Sequence, residues 1–280
     1  SHFNCENKNM IKVRLLMLLV ALLSSGLTTP LAWASYDSAV FHKQKPLKVL
    51  RITPSGTDVP AGRQIVLTFN QAVVPVGKME RNAAEIPITI TPALQCQWRW
   101  LNTSSLACQL GDETALKPAT RYQVQVLPGI MTESQQTLNA PFESMFITQR
   151  PTVTYPSFQT WQAPGLPKIR VNFNQPITRD SVAKHLYFQK TNGQRIDVKV
   201  EWLPHDEDEN EASIPSTKSS TTVSDVWIVS PKLLLPLDTR ITLMVEPGIQ
   251  STKGPEPGVE HEAIVTFHTF PEFKFLGLKC

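Results

Sequence analysis

The chain repeats itself, and the repeat limits what it can fold into. Thr120–Ile130 reads TRYQVQVLPGI, and Thr239–Ile249 reads TRITLMVEPGI. Two further landmarks recur in the same order. IVLTFNQ at Ile65–Gln71 is echoed by IRVNFNQ at Ile169–Gln175, and Phe146-Ile147-Thr148 by Phe267-His268-Thr269. Phe69 recurs as Phe173, 104 residues on; Thr120 as Thr239, 119 on; Phe146 as Phe267, 121 on. Ordered self-similarity at a near-constant period marks tandem copies of one unit. The growth from 104 to 119 requires an insertion in the second copy. His205–Thr222, HDEDENEASIPSTKSSTT, supplies it. That segment is acidic, then Ser/Thr-rich, and nearly free of apolar residues, which is loop composition.

Each copy reads as strands. Tyr122, Val124 and Val126 alternate with Gln123 and Gln125, and Ile241, Leu243 and Val245 form the matching apolar set. A period of two marks a strand with one face on a core. Pro128-Gly129 and Pro247-Gly248 then fit a type II turn, where Pro presets φ and Gly accepts a positive one. The first copy offers further strands at 48–53, 65–69, 88–91, 96–100, 106–110 and 142–148. The second offers 152–155, 169–173, 186–189, 196–203, 226–230 and 264–269, with a hairpin turn at Asn192-Gly193. Ser181–His185 is expected to form one helical turn. Trp98, Trp100, Trp202 and Trp227 are expected to serve packing.

About seven short strands in some 110 residues predicts an immunoglobulin-like β-sandwich. The expected architecture is therefore all-β: two tandem sandwiches, residues 35–149 and 150–280, after a leader and signal peptide at 1–34. Pro is frequent (23) and Gly is not (12) in the 280 residues, which suits strands joined by rigid turns. The net charge of +3 is too small to argue for nucleic acid, and no basic stripe interleaved with aromatics exists.

Met10 begins a segment with Lys12 and Arg14, the apolar run Leu15–Leu23, and Ala32-Trp33-Ala34. These are the parts of a secretory signal peptide, with cleavage expected between Ala34 and Ser35. The apolar run is too short for a membrane anchor. The mature chain is expected in the periplasm, soluble and monomeric, with Ser1–Asn9 as leader. In such an oxidising compartment the close pair Cys96 and Cys108 is expected to form a disulfide across a hairpin turning at Asn102. Cys5 precedes the signal, and Cys280 has no evident partner.

Signals for chemistry are weak. His261-Glu262 opens HEAIV, but Val265 stands where the metalloprotease HExxH motif needs its second His. No nucleophile elbow, phosphate loop or dinucleotide fingerprint occurs. The acidic run in 205–222 lacks the ordered spacing and turn Gly of a calcium loop. Asn102-Thr103-Ser104 matches the glycosylation sequon. No catalytic residue, metal ligand or cofactor is expected, and the chain reads as a non-enzyme.

Four segments, RITPSGTDVPAGRQIVLTFNQAVVP, EIPITITPALQCQWRW, LKPATRYQVQVLPGI and PSFQTWQAPGLPKIRVNFNQPIT, together resemble the N-terminal region of bacterial alpha-2-macroglobulin-like proteins. The resemblance runs over Lys48–Cys280 and is greatest to the soluble periplasmic kind without a thioester. It implies a string of sandwich domains with a bait segment, whose cleavage leads to protease entrapment. It implies proteases, or the family's downstream domains, as partners. Cys96 is followed by Gln-Trp-Arg and Cys108 by Gln-Leu-Gly, so the thioester motif Cys-x-Glu-Gln is absent. The chain thus reads as an N-terminal fragment of such a protein, inactive alone. The rival expectation is an independent cell-envelope binding module for protein or glycan.

Overall fold

The computed structural model describes residues 45–74, 86–161, 166–202, 222–275 and 277. The expected signal peptide with its expected Ala34–Ser35 cleavage, Cys5, Cys280 and all of the 205–222 segment except Thr222 lie outside the described residues.

The chain is all-β apart from one short helix. In the first copy the strands are β1 (Val49–Thr53), β2 (Gly56–Val59), β3 (Gln64–Phe69), β4 (Ile88–Thr91), β5 (Gln97–Asn102), β6 (Ser105–Gln109), β7 (Arg121–Val126) and β8 (Phe142–Thr148). They form two four-stranded sheets, β1-β3-β6-β5 and β2-β8-β7-β4. The second copy contains β9 (Val153–Thr160), β10 (Lys168–Thr178), α1 (Arg179–His185), β11 (Leu186–Lys190), β12 (Arg195–Trp202), β13 (Val223–Pro231), β14 (Arg240–Val245) and β15 (Glu262–His268). Its strand order is β15-β14-β11-β12-β13-β10-β9.

The two orders are one topology. β9-β10-β13-β12 repeats β1-β3-β6-β5, and β15-β14-β11 repeats β8-β7-β4. The copies differ at the seam between their sheets and at one edge. The hairpin turn at Asn192-Gly193 lets β11 pair with β12, so the two faces of the second sandwich run into a single sheet. In the first copy β2 lies parallel to β8 and caps that edge.

Alternation places the cores. Along β7, Tyr122, Val124 and Val126 are buried; along β14, Ile241, Leu243 and Val245. Each such side chain contributes about 1.5–3 kcal/mol. The first core gathers these with Ile65, Leu67, Trp100, Leu106 and Phe146, and the second with Ile169, Val171, Phe188, Trp227 and Val229. The Tyr122 hydroxyl accepts from the Lys117 N–H at 2.9 Å and the ring stacks on Phe146, a tyrosine corner of the immunoglobulin kind. Gly129 and Gly248 have φ of 134° and 120°, as the repeated Pro-Gly requires.

Three expectations need correction. β9 and β10 run well past their expected ends, because they pair with each other over their length. The strand β2 has no apolar alternation and was not expected. Trp202 is 39% exposed, since it lies on the outer end of β12 and not in the core, whereas Trp98, Trp100 and Trp227 are buried. The helical turn appears as α1, N-capped by the Thr178 hydroxyl.

Candidate functional site

The most heavily built polar region is the joint between the two sandwiches, and the repeated landmarks build it. Thr148 ends β8 and Thr120 precedes β7. The Thr120 N–H donates to Thr148 Oγ1 at 3.0 Å, and that hydroxyl donates to the Lys117 carbonyl at 2.6 Å. In the second copy the Thr239 N–H donates to Thr269 Oγ1 at 2.8 Å, which donates to the Pro236 carbonyl at 2.7 Å. Both threonines are almost fully buried, so each hydroxyl satisfies backbone groups that water cannot reach.

Asn-Gln at the end of the other repeated phrase is a second clamp. Asn174 Oδ1 accepts from the Thr152 N–H, and Asn174 Nδ2 donates to the Arg150 carbonyl, both at 2.9 Å. Gln175 Nε2 donates to the Gln149 carbonyl at 2.6 Å. Residues 149–152 are the link between sandwiches, so the second copy grips the strand leaving the first. Asn70 and Gln71 hold Lys45, Pro46 and Lys48 through the same atoms. The amide side chains suit this task, because each offers both a donor and an acceptor.

Charge then ties the link to the first sandwich. Arg150 Nε donates to Asp58 Oδ1 at 2.9 Å and Nη2 to Oδ2 at 2.5 Å, while the Arg150 N–H also reaches Oδ1 at 3.1 Å. A bidentate charge-assisted pair of this kind is the strong form. The Arg150 side chain is only 15% exposed. Its hydrogen bonds hold the Asp58 carboxyl below the usual Asp range, against a smaller opposing effect of burial.

The loop between β14 and β15 makes the remaining contact. The Glu256 N–H donates to the Ala119 carbonyl at 2.7 Å. Arg121 Nε and Nη2 donate to Glu256 Oε1 and Oε2 at 2.8 and 3.1 Å, and Arg121 Nη1 to Met145 Sδ. A Cβ on Gly254 would collide with the carbonyl oxygens of Pro118 and Ala119, and one on Gly258 with the Pro151 carbonyl. Close backbone approach therefore demands glycine at both places. Glu260 accepts from the Val153 N–H at 3.0 Å. Burial raises its carboxyl, Glu262 and Asp58 add to the rise, and the Val153 hydrogen bond opposes it.

The residues singled out in the sequence fall elsewhere. Cys96 and Cys108 form a disulfide across the β5–β6 hairpin, whose turn is held by Asn102 Oδ1 accepting from the Ser104 N–H. His261 and Glu262 are exposed and His261 precedes β15. Among the described residues no group of three His, Cys, Asp or Glu could hold a metal, and no helix is long and apolar enough to cross a membrane. Sequence reading missed Asp58, Arg121, Arg150, Gly254 and Glu256. One signal was available: the repeated phrase starts Thr-Arg, and its Arg has no place in a core.

No protein-family model matches the chain, and no curated protein matches it. Among solved structures, native alpha-2-macroglobulin from Escherichia coli spanning domains MG0-NIE-MG1 is similar over 80% of this chain and 72% of that one, at 13% identity and TM-score 0.28. An L,D-transpeptidase from Mycobacterium tuberculosis H37Rv is similar over 55% of this chain and 63% of that one, under two thirds of its length, at 16% identity and TM-score 0.26. L,D-transpeptidase 3 from Mycobacterium tuberculosis, in complex with a faropenem-derived adduct, is similar over 72% and 77%, at 13% identity and TM-score 0.26.

Proposed function

We propose that the chain is a non-enzymatic structural segment of an exported alpha-2-macroglobulin-like protein, whose family role is endopeptidase inhibition. The observation that carries this reading is the joint. Two sandwiches of one topology are fastened in series, and the Asn-Gln and Thr clamps recur in both copies, as suits a unit built to be strung. The four segments that resemble the family lie across both sandwiches, which supports the same reading. In it the chain does no chemistry; it spaces and orients modules, and its partners are proteases or further modules of the same protein. The test incubates purified residues 35–280 with a panel of endopeptidases. The expected result is neither inhibition nor a stable complex, and no hydrolase activity. Stoichiometric inhibition by this segment alone would refute the reading.

A second reading, an envelope binding module, is favoured by one feature. Phe158, Trp161, Phe267 and Phe270 form a partly exposed aromatic cluster between the edge strands β9 and β15. Saturable glycan binding lost in Phe158→Ala would establish that alternative.

A further inference from the structure

The repeat places a second set of joint residues at the far end of the second sandwich. Leu237, Asp238, Thr239 and Arg240 stand where Pro118, Ala119, Thr120 and Arg121 stand in the first. The correspondence is atomic. Ala119 and Asp238 have φ of 48° and 47°. The Ala119 N–H donates to the Gln149 carbonyl at 2.9 Å, and the Asp238 N–H to the Phe270 carbonyl at 3.0 Å. The threonine clamps behind them match bond for bond.

In the first sandwich this end is covered. Gly254 lies on the Pro118 and Ala119 carbonyls, Glu256 donates its N–H to Ala119, and its carboxylate takes Arg121. In the second sandwich the same end carries no such cover among the described residues. Arg240 has no ion-pair or side-chain hydrogen-bond partner there, and the Asp238 carboxylate is bonded to His268 at 3.1 Å. Apolar side chains gather at this end as well: Leu233, Leu234 and Leu237 are 68%, 76% and 58% exposed, and Phe270 is 42% exposed. Their counterparts in the first sandwich, where the end is docked, are Thr114, Ala115, Pro118 and Gln149. Exposed apolar side chains at an end whose cation is unpartnered among the described residues mark an interaction surface.

We infer that this end docks a Gly-x-Glu loop carried by a further sandwich module of the same polypeptide. The glycine would lie on the carbonyls of Leu237 and Asp238, the glutamate N–H would donate to the Asp238 carbonyl, and the carboxylate would take Arg240. Leu237 and Phe270 would be covered. Glycine is required by the close approach of two backbones and glutamate by the guanidinium, which takes a carboxylate bidentately. A second copy of this chain is not the occupant, because its own Gly254–Glu256 loop is already engaged on its first sandwich. The inference rests on the reading of the chain as a structural segment and names what the segment's end is for.

The test appends a second copy of residues 150–275 after Phe270, so that Phe270 takes the place of Gln149, with an isotope label in the appended copy only. The linked copy meets the surface at high effective concentration. The readout is exchange of the appended Glu256 amide. Docking predicts protection within about tenfold of that seen at the first joint, lost by at least about tenfold in Arg240→Glu and restored when Glu256→Arg is added to the appended copy. An appended amide that exchanges unprotected, or protection indifferent to Arg240→Glu, overturns the inference. In the unfused chain, Arg240→Glu is expected to leave the urea midpoint unchanged while Arg121→Glu lowers it. A lowered midpoint for Arg240→Glu would show the cation already engaged within its own module, and would also overturn it. Failure here leaves the segment reading intact, since the protease assay does not involve Arg240.

Discussion

Gly254→Ala should undo the contact between the β14–β15 loop and the first sandwich. The added methyl would meet the Pro118 and Ala119 carbonyls, and neither can give way. The Ala119 N–H is bonded to Gln149, and the Pro118 carbonyl accepts from Thr120 Oγ1 at 2.8 Å. Forcing the methyl in place costs about 1–3 kcal/mol. The alternative is to undock the loop, which loses the Glu256–Ala119 hydrogen bond, worth about 0.5–1.5 kcal/mol. It also loses the Arg121–Glu256 pair, worth at most about 1 kcal/mol because Arg121 is 48% exposed. Alanine restricts the unfolded chain and returns about 0.4–1 kcal/mol. The net loss is therefore about 0–2 kcal/mol, capped by undocking. The cap makes a sharper prediction: Glu256→Ala should cost almost nothing in a Gly254→Ala background. A double-mutant cycle in urea, read together with exchange of the Glu256 amide, measures both. Full additivity, or a Glu256 amide as protected in Gly254→Ala as before, would refute the argument.

Thr148→Val keeps the shape but strands the Thr120 N–H and the Lys117 carbonyl, so urea unfolding should show a loss of about 2–4 kcal/mol, with Thr148→Ser near normal. Asp58 has a lowered carboxyl in the fold, so its contribution is complete above its unfolded value of about 3.9 and is lost as pH falls through the folded one. Arg150→Ala should therefore destabilise at pH 7 and lose that effect towards pH 2 in acid titrations of stability. Glu260 has the opposite sign: a raised carboxyl favours the fold when protonated, and stability drains as pH rises through its folded value. Glu260→Gln, whose side-chain oxygen can still accept from Val153, should gain on the parent as pH rises from 4 to 7 when unfolding is followed at both. Reduction of Cys96–Cys108, a pair 12 residues apart in sequence, should cost about 3 kcal/mol by thermal unfolding with and without reductant.

Much of the fold was legible because burial writes itself as alternation. Tyr122-x-Val124-x-Val126 and Ile241-x-Leu243-x-Val245 gave strands, faces and copies together. The Pro-Gly and Asn-Gly turns were legible because they need positive φ. Strand β2 was not, since GTDV has one half-buried side chain and owes its place to pairing with β8. Trp202 misled because it continues the parity of Ile196, Val198 and Val200 but stands at the end of the strand, past the core. The joint was hidden for a different reason. Asp58 and Arg150 are 92 residues apart, and Arg121 and Glu256 are 135 apart, so no local pattern links them. Asn70-Gln71 and Thr120 were visible as a repeat, but their task is to bond backbone groups, which leaves no periodic trace.

In the proposed function these two sandwiches are consecutive modules of a longer exported string. The most direct test is the intact mass of the polypeptide isolated from the periplasm of cells that make it, captured by an antibody to the first sandwich. The account predicts a species that begins at Ser35 and exceeds the mass of residues 35–280. A mature species that ends at Cys280 would contradict it.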